Sequence, residues 1–389
     1  MHSTATSQVG PRELLRWAEA HKDEMVRWIA RAIKIESPSF NKKALDEMAD
    51  FLAESFRRAG GRVRIHKRAE QGNHLQVDFA AKSGDSKPVL LLGHHDTVWQ
   101  IGSLKSMPCR VRKGRIYGPG SLDMKTGLAQ ILFSVRALKE VLGQLPRPVT
   151  VLSVTDEEIG SETSRALTES LAKKCAAVFV MEPAQAPNGA LKTERKGVGE
   201  YTLKVTGKAS HAGVDFGAGA SAIVELARQI EQIAGFSRNG ITANPGVIRG
   251  GTRTNVVAAD AEVDVDVRIP RAADAKLLAR RFRSLKPFDK RCKLEVSGGI
   301  NRPPMERSRG GATLFAQAGK LAREIDGAWE LADSATGGGS DGNFTAALGI
   351  PTLDGMGAVG EGAHATHECA VIAEIPRRTA LLAALAATV

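Results

Sequence analysis

The chain has 389 residues, a length that predicts two domains of ordinary size. Hydrophobic residues make up 42% of it and charged residues 25%, which excludes a disordered or collagen-like chain. The formal net charge is +11 and is unevenly spread: residues 201–310 hold 19 Lys and Arg against 11 Asp and Glu, whereas residues 311–389 hold 4 against 9. This basic middle fits a solvated surface, an acidic substrate or a nucleic acid, and composition does not separate the three.

Signals for secretion or membrane insertion are not predicted. Residues 1–16 contain no apolar core of a signal peptide, and no window approaches 18 uninterrupted apolar residues. The cysteines at 109, 175, 292 and 369 are isolated from one another, so neither a disulfide framework nor a zinc ribbon is expected. These features favour a cytoplasmic protein without a membrane partner.

The first half of the chain alternates helical and strand patterns. Helices are predicted over residues 12–34, 44–59 and 126–141, and strands over residues 62–66, 75–80, 89–92, 149–154 and 176–181. The last three strands are short apolar runs, which are typical of strands that are buried on both faces of a parallel sheet. The alternation predicts an α/β domain.

The pattern changes near Gly199. Strict alternation over residues 262–269, with Val and Ile on one face, predicts an antiparallel strand with one wet face. Further elements of this module are predicted over residues 201–206, 223–234, 272–285 and 293–296, and a C-terminal helix over 375–387. We therefore predict an α/β domain formed by residues 1–199 and 309–389, with an α+β domain of residues 200–308 inserted into it.

Acidic and histidine residues follow the predicted buried strands or lie in loops. They are His94, His95, Asp96, Asp123, Glu157, Glu158, Glu182 and His364. In open α/β sheets ligands bind at the carboxyl ends of the strands, so many of these side chains should meet there. Burying so many carboxylates without Lys or Arg is unfavourable, whereas two divalent ions would balance three carboxylates and one hydroxide. Histidine nitrogen and carboxylate oxygen favour Zn²⁺, with Co²⁺ or Mn²⁺ as alternatives.

The local motifs suggest individual roles. In His94-His95-Asp96, we expect Asp96 to accept the second ring N–H of His94, and His95 to pack away from the metals. In the vicinal pair, Glu158 is the predicted ligand and Glu157 the predicted general base, which takes a proton from the attacking water. A P-loop is excluded because Met124 stands where that motif needs glycine, and no Gly-x-Ser-x-Gly motif supports serine chemistry.

Seven motifs together resemble the zinc-dependent exopeptidases of the M20 family, and in particular its glutamate carboxypeptidases. They are GHHDTVW (93–99), YGPGSLDMKTG (117–127), TDEEIGS (155–161), MEPA (181–184), KASHAG (208–213), GGGSDGNF (337–344) and GAHATHE (362–368). The resemblance runs from about residue 20 to residue 389. It implies a mixed-sheet zinc-exopeptidase catalytic domain with an inserted α+β lid and dimerisation domain.

The resemblance also implies roles for the metal-binding residues. His94 and Glu182 would bind one zinc ion, Glu158 and His364 the other, and Asp123 would bridge the two ions. The peptide bond after this aspartate is often cis in the family. One departure from the family pattern is Thr126, which stands where glycine is usual and would add bulk near the metals.

Residues of the inserted domain are implied to contact the substrate. His211 would reach into the partner subunit's site and stabilise the oxyanion, with imidazole as the hydrogen-bond donor. Asn255 and Arg268 would help to hold the substrate carboxylate, and Gly338 of the glycine-rich motif is a further expected substrate-binding residue.

We therefore predict a homodimeric dizinc hydrolase that releases a C-terminal amino acid, preferably glutamate, from an N-acyl amino acid or short peptide. One alternative is an N-acyl-amino-acid deacylase or aminoacylase on the same scaffold. The other is a non-enzymatic basic binding module. Nucleic-acid binding has little support, because residues 201–310 contain only five aromatic residues for base stacking.

Overall fold

The computed structural model describes residues 10–81 and 86–389. The chain divides into two compact units. The larger comprises Met1–Glu194, Arg307–Ala335 and Ser340–Val389, and the smaller comprises Arg195–Glu306 and Thr336–Gly339. Part of the N-terminal segment for which no signal peptide was predicted, residues 1–9, lies outside the described residues.

Ten α-helices and sixteen strands are found in the described part of the chain. The helices are α1 (Pro11–Ala20), α2 (Lys22–Lys34), α3 (Lys42–Arg58), α4 (Thr126–Leu142), α5 (Arg165–Ala172), α6 (Ala222–Ala234), α7 (Ala272–Arg283), α8 (Arg309–Ile325), α9 (Gly342–Ala347) and α10 (Glu374–Thr388). The strands are β1 (Arg62–His66), β2 (His74–Phe79), β3 (Val89–His94), β4 (Arg110–Arg112), β5 (Arg115–Tyr117), β6 (Val149–Val154), β7 (Ala177–Val180), β8 (Leu191–Arg195), β9 (Gly197–Thr206), β10 (Thr242–Gly250), β11 (Asp260–Ile269), β12 (Lys293–Arg302), β13 (Asp333–Thr336), β14 (Thr352–Leu353), β15 (Gly360–Glu361) and β16 (Cys369–Val371).

The larger unit is built on a six-stranded mixed sheet with the strand order β1-β2-β6-β3-β7-β14. Strand β3 runs parallel to both β6 and β7, whereas β2 is antiparallel to β6. Successive side chains enter two different cores: Leu91 and Val151 enter one, and Leu92 and Leu152 enter the other. Both faces are therefore covered, which explains the apolar runs in the sequence.

Two structural features bring the polar residues together. Because β3, β6 and β7 are parallel, their carboxyl ends lie at one edge of the sheet, and His94 is paired with Val154 there. A second sheet, of order β15-β16-β5-β4, pairs Cys369 with Tyr117. Because these strands are neighbours, the loop that begins after Tyr117 lies beside the loop that ends before Cys369.

The smaller unit contains an antiparallel sheet of order β10-β11-β9-β12. The alternation predicted for residues 262–269 is confirmed, since Val263, Val265, Val267 and Ile269 are fully buried in the core of this unit. In the same core the ring of Tyr201 stacks on Phe282 at a centroid distance of 3.9 Å.

Several elements differ from the prediction. Residues 12–34 form two helices, α1 and α2, because the chain turns at His21, whose ring stacks on Trp17 at 3.9 Å. Helix α8 and strand β10 were not predicted, since two glycines weaken the helical pattern at the start of α8 and β10 contains Pro245 and a bulge. The four cysteines are free. Within the described ranges, no helix combines the length and apolarity needed to cross a bilayer.

Candidate metal centre

Seven predicted site residues converge in the larger unit, at the carboxyl edge of its main sheet. They are His94, Asp96, Asp123, Glu157, Glu158, Glu182 and His364. The histidine at position 94 ends β3, the glutamate pair lies in the turn after β6, and Glu182 follows β7. The parallel strands thus bring residues that are distant in the sequence to one place, as their pattern in the sequence predicted.

The carboxylate of Asp123 lies between two histidines. Its Oδ1 atom is 3.1 Å from Nε2 of His94, and its Oδ2 atom is 3.5 Å from Nε2 of His364. Each histidine also faces a second carboxylate: Glu182 Oε1 lies 3.5 Å from His94 Nε2, and Glu158 Oε2 lies 3.1 Å from His364 Nε2. The site is therefore a pair of histidine–carboxylate groups that share one aspartate.

The electrostatics of this cluster favour positive charge. Burial opposes protonation of His94, but hydrogen bonds to its carboxylate neighbours outweigh burial and raise its pKa well above the usual value. Hydrogen bonds to Asp123 and Glu158 raise the pKa of His364 to about 10. Burial opposes ionisation of Asp123, yet its bonds to the two histidines lower its pKa. Protonated imidazoles thus balance the negative charge of the carboxylates, which bound metal cations would balance in their place.

The donor set fits divalent metal ions. Ligand atoms of His94, Glu157 and Glu182 lie within 4.8 Å of one another, and so do those of His94, Asp123 and Glu158. Among the described residues, Glu158 Oε1 is buried without a hydrogen-bond partner, which is a costly arrangement unless a cation contacts it. Imidazole nitrogen with carboxylate oxygen is a ligand set that suits zinc.

Asp96 has more partners than the sequence suggested. His94 Nδ1 lies 3.0 Å from the backbone oxygen of Asp96 and 3.4 Å from its carboxylate Oδ1. The same carboxylate accepts the hydroxyl of Ser39 at 2.8 Å and the backbone N–H groups of Glu157 and Glu158 at 3.3 and 3.2 Å. Asp96 therefore orients His94 and also fixes the turn that carries the glutamate pair.

The loop that carries Asp123 accommodates Thr126, the residue that departs from the family pattern. Thr126 is fully buried, and its hydroxyl donates to the backbone oxygen of Ser121 at 2.6 Å. Glycine is needed one residue later, since a Cβ at Gly127 would lie 2.4 Å from the oxygen of Met181. Thr126 is thus held within its own loop. The Asp123–Met124 peptide bond is cis, as the resemblance implied.

Ser39 and Glu368 also contact this site, although no pattern in the sequence predicted either contact. Ser39 belongs to no recognisable motif, and only the folding of the chain brings its hydroxyl to Asp96. Glu368 falls four residues after His364 in the motif GAHATHE, and this spacing was its only signal. His95 packs away from the cluster, as predicted: it is buried, and its Nδ1 lies 2.8 Å from Ser153 Oγ.

The other predicted residues belong to the smaller unit. His211 is exposed, its Nδ1 accepts the backbone N–H of Gly213 at 3.1 Å, and Ala212 N–H donates to the backbone oxygen of Asn255 at 2.9 Å. His211 and Asn255 therefore lie in neighbouring loops of this unit.

Two predicted substrate-binding residues, Arg268 and Gly338, make hydrogen bonds within the smaller unit. Arg268 makes two hydrogen bonds to Asp266, at 2.9 and 2.8 Å. The oxygen of Gly338 accepts a hydrogen bond from Arg195 at 3.1 Å, and the oxygen of Gly339 accepts another at 3.0 Å. The sequence alone did not indicate either pairing.

Comparisons with known proteins agree in family and fold. The model of peptidase family M20/M25/M40 matches residues 90–388. Carboxypeptidase G2 of Pseudomonas sp. (strain RS-16) is 31% identical over 98% of this chain and 93% of its own length. Acetylornithine deacetylase of Erwinia tasmaniensis is 28% identical over 70% of this chain and 75% of its own. The crystal structure of aminopeptidase PepT from Bacillus cereus matches with a TM-score of 0.77 at 21% identity, covering 94% of this chain and 97% of that one, and so confirms the predicted fold class.

Proposed function

Since this chain belongs to peptidase family M20/M25/M40 and is a metallo-hydrolase, we propose that it cleaves the amide bond of an N-acyl amino acid or short peptide and releases the C-terminal amino acid, preferably glutamate. The observation that carries the proposal is the carboxylate of Asp123, whose two oxygens face His94 and His364. The similarity to carboxypeptidase G2 and the basic charge of residues 201–310 support an acidic leaving amino acid.

We assign two zinc ions to the cluster. His94 and Glu182 would hold one ion, Glu158 and His364 the other, and Asp123 both. When bound, such ions supply a water of lowered pKa and polarise the amide carbonyl. The unpartnered Glu158 Oε1 supports this assignment, and so do the distances of 3.1–3.5 Å that join the two histidines to Asp123, Glu182 and Glu158.

Glu157 is the proposed general base and acid. It takes the proton from the attacking water, whose oxygen bonds to the carbonyl carbon. It later delivers that proton to the nitrogen as the C–N bond breaks, which leaves a carboxylate and a free amine. Asp96 accepts the backbone N–H of Glu157 and so holds the turn that presents this carboxylate. Because neighbouring side chains diverge, Glu157 can reach the water while Glu158 binds metal.

We propose that residues 200–308 form a lid and dimerisation domain, whose His211 acts in the partner's site. The bond from Gly213 to Nδ1 leaves the proton of neutral His211 on Nε2, which then donates to the oxyanion. Asn255 and Arg268 would hold the substrate carboxylate, for which Arg268 would give up its bonds to Asp266, and Gly338 would also contact the substrate. We place the homodimer in the cytoplasm, which the free cysteines support.

The decisive experiment measures metal content together with hydrolysis of acyl-Glu, acyl-Ala and acyl-Arg substrates. We expect about two zinc ions per chain and the highest kcat/KM for acyl-Glu. Glu157→Ala should keep its metal but lose at least about 10²-fold in kcat, whereas Glu162→Ala, an exposed control in the same loop, should match the wild type.

Other results would change the assignment. If the protein binds two ions and hydrolyses acyl-Ala or acyl-Arg but not acyl-Glu, it is better described as an N-acyl-amino-acid deacylase. The chain's similarity to an acetylornithine deacetylase makes this the alternative to test. A protein that binds no metal and hydrolyses none of the three substrates would refute the mechanism and return the basic binding module to consideration.

A further inference from the structure

Glu368 is a buried carboxylate that no step of the proposed reaction uses. Glu368 is only 1% exposed, and its two carboxylate oxygens together accept four hydrogen bonds. Oε1 accepts the backbone N–H groups of Leu122 and Asp123 at 2.8 and 3.0 Å. Oε2 accepts the backbone N–H of Gly120 at 3.0 Å and Nε1–H of Trp99 at 2.8 Å. Four donors and no acceptor around one side chain are the environment of an ionised carboxylate.

These bonds connect three segments that carry the metal-binding residues. Trp99 follows the strand that ends in His94, the bonded N–H groups belong to the loop that includes Asp123, and His364 lies four residues before Glu368. The backbone oxygen of Glu368 adds a further contact, since it accepts the hydroxyl of Ser121 at 3.2 Å. One side chain therefore joins the supports of three proposed ligands.

We propose that Glu368 is the positioning residue of the bridging carboxylate: it holds the backbone of Asp123 so that both carboxylate oxygens face their histidines. The inference rests on the proposed metal centre. Gly120, one of the four donors, has a left-handed φ of +70°, a conformation that glycine adopts without strain. Since charge-assisted hydrogen bonds are stronger than neutral ones, a carboxylate holds this loop better than an amide would.

The loss of Glu368 should act on the metals through geometry. In Glu368→Gln, one oxygen becomes an NH₂ group, which cannot accept, so two of the four N–H donors lose their partner. The loop would then hold Asp123 less firmly at both ions. Changes to groups that support metal ligands typically cost about 10–100-fold in metal affinity or activity.

The test compares three variants with the wild type by competition of Zn²⁺ against a chelator and by the visible spectrum of the Co²⁺-loaded protein. Glu368→Gln should bind Zn²⁺ about 10–100-fold more weakly, with an altered Co²⁺ spectrum and lower kcat at nearly unchanged KM. Trp99→Phe removes one donor and should weaken binding by a smaller factor. Glu361→Gln is the control from the same segment, because Glu361 is exposed and pairs with Arg115.

Wild-type Zn²⁺ affinity and an unchanged Co²⁺ spectrum in Glu368→Gln would overturn the proposal. If that variant does not fold, Trp99→Phe decides: weaker binding supports the positioning role, and wild-type binding refutes it. The proposed function fails separately, when the wild type binds two ions and releases no amino acid. In that case, the metal affinity and spectrum of the variants still test Glu368.

Discussion

The backbone N–H of Glu157 donates to Oδ1 of Asp96, with a nitrogen–oxygen distance of 3.3 Å. Through this bond a residue that lies just after β3 sets the position of the proposed base, which lies after β6. The other carboxylate oxygen accepts Glu158 N–H and the hydroxyl of Ser39. Because the same aspartate also contacts His94 Nδ1, it connects the base, one ligand of each proposed ion and the loop between α2 and α3.

Replacing Asp96 should therefore lower catalysis without unfolding the chain. Asp96→Asn keeps only one acceptor oxygen, so the turn at Glu157 and Glu158 loses part of its anchor. We expect kcat to fall about 10–100-fold and zinc affinity to fall with it. Ser39→Ala removes a single donor and should change kcat less than about threefold. Steady-state kinetics at saturating zinc check both, and equal rates for Asp96→Asn and the wild type would contradict the anchoring role.

Metal stoichiometry should separate the bridging residue from a ligand of one ion. Asp123→Ala removes the carboxylate that faces both histidines, so both ions should be lost. His364→Asn should lose only the ion that His364 shares with Glu158. Asparagine is chosen because position 364 is left-handed, with φ of 61°, a region that asparagine tolerates.

Elemental analysis after dialysis at a buffered zinc concentration would measure this. We expect about two ions per chain in the wild type, one in His364→Asn and none in Asp123→Ala. Retention of both ions by His364→Asn would remove His364 from the ligand set. Loss of both ions from that variant would mean that the second ion is needed to bind the first.

Variants of His211 should report which ring nitrogen acts. Because Gly213 donates to Nδ1, the proton of the neutral ring is on Nε2. Glutamine places an amide N–H near the position of Nε2, whereas asparagine places it near Nδ1. His211→Ala and His211→Asn should lose about 10²–10³-fold in kcat, and His211→Gln should recover part of that loss. Metal content should be unchanged in all three, and a wild-type kcat in His211→Ala would exclude an oxyanion role.

The sequence predicted the features that depend on local pattern. The apolar runs at 89–92 and 149–154 predicted parallel strands, and the polar residues after them were correctly expected at one edge of the sheet. The alternation over 262–269 predicted the antiparallel sheet of the smaller unit in the same way. Each of these patterns reflects burial, which acts on every residue of an element and therefore leaves a periodic signal.

Contacts that depend on single side chains distant in sequence were not predictable. Glu368 meets backbone N–H groups some 245 positions away, and Ser39 meets Asp96 from a separate loop. Backbone donors carry no sequence signature, so a carboxylate that binds them resembles any other glutamate. Likewise, Arg268 seemed available for a substrate, and only the structure reveals its pairing with Asp266.

The stability of the larger unit should depend on pH through His74. This residue is fully buried in β2, with Nε2 3.1 Å from Thr163 Oγ1 and Nδ1 3.2 Å from Thr155 Oγ1. Burial lowers its pKa from 6.5 to about 4, although Asp156 opposes the shift. As the pH falls below 6.5, the unfolded chain binds a proton that the native state does not yet accept. The free energy of unfolding should therefore decrease between pH 6.5 and about 4, by on the order of 2–3 kcal/mol.

Urea denaturation of the wild type and His74→Gln between pH 7.5 and 4.5 tests this dependence. Metal release and other titrating groups affect both proteins, so the difference between their free energies of unfolding isolates His74. The wild type loses its advantage as the pH falls, because only its unfolded state gains a proton at position 74. A difference that stays constant across this range would show that His74 binds protons equally well in the native and unfolded states, and that burial in β2 does not control its ionisation.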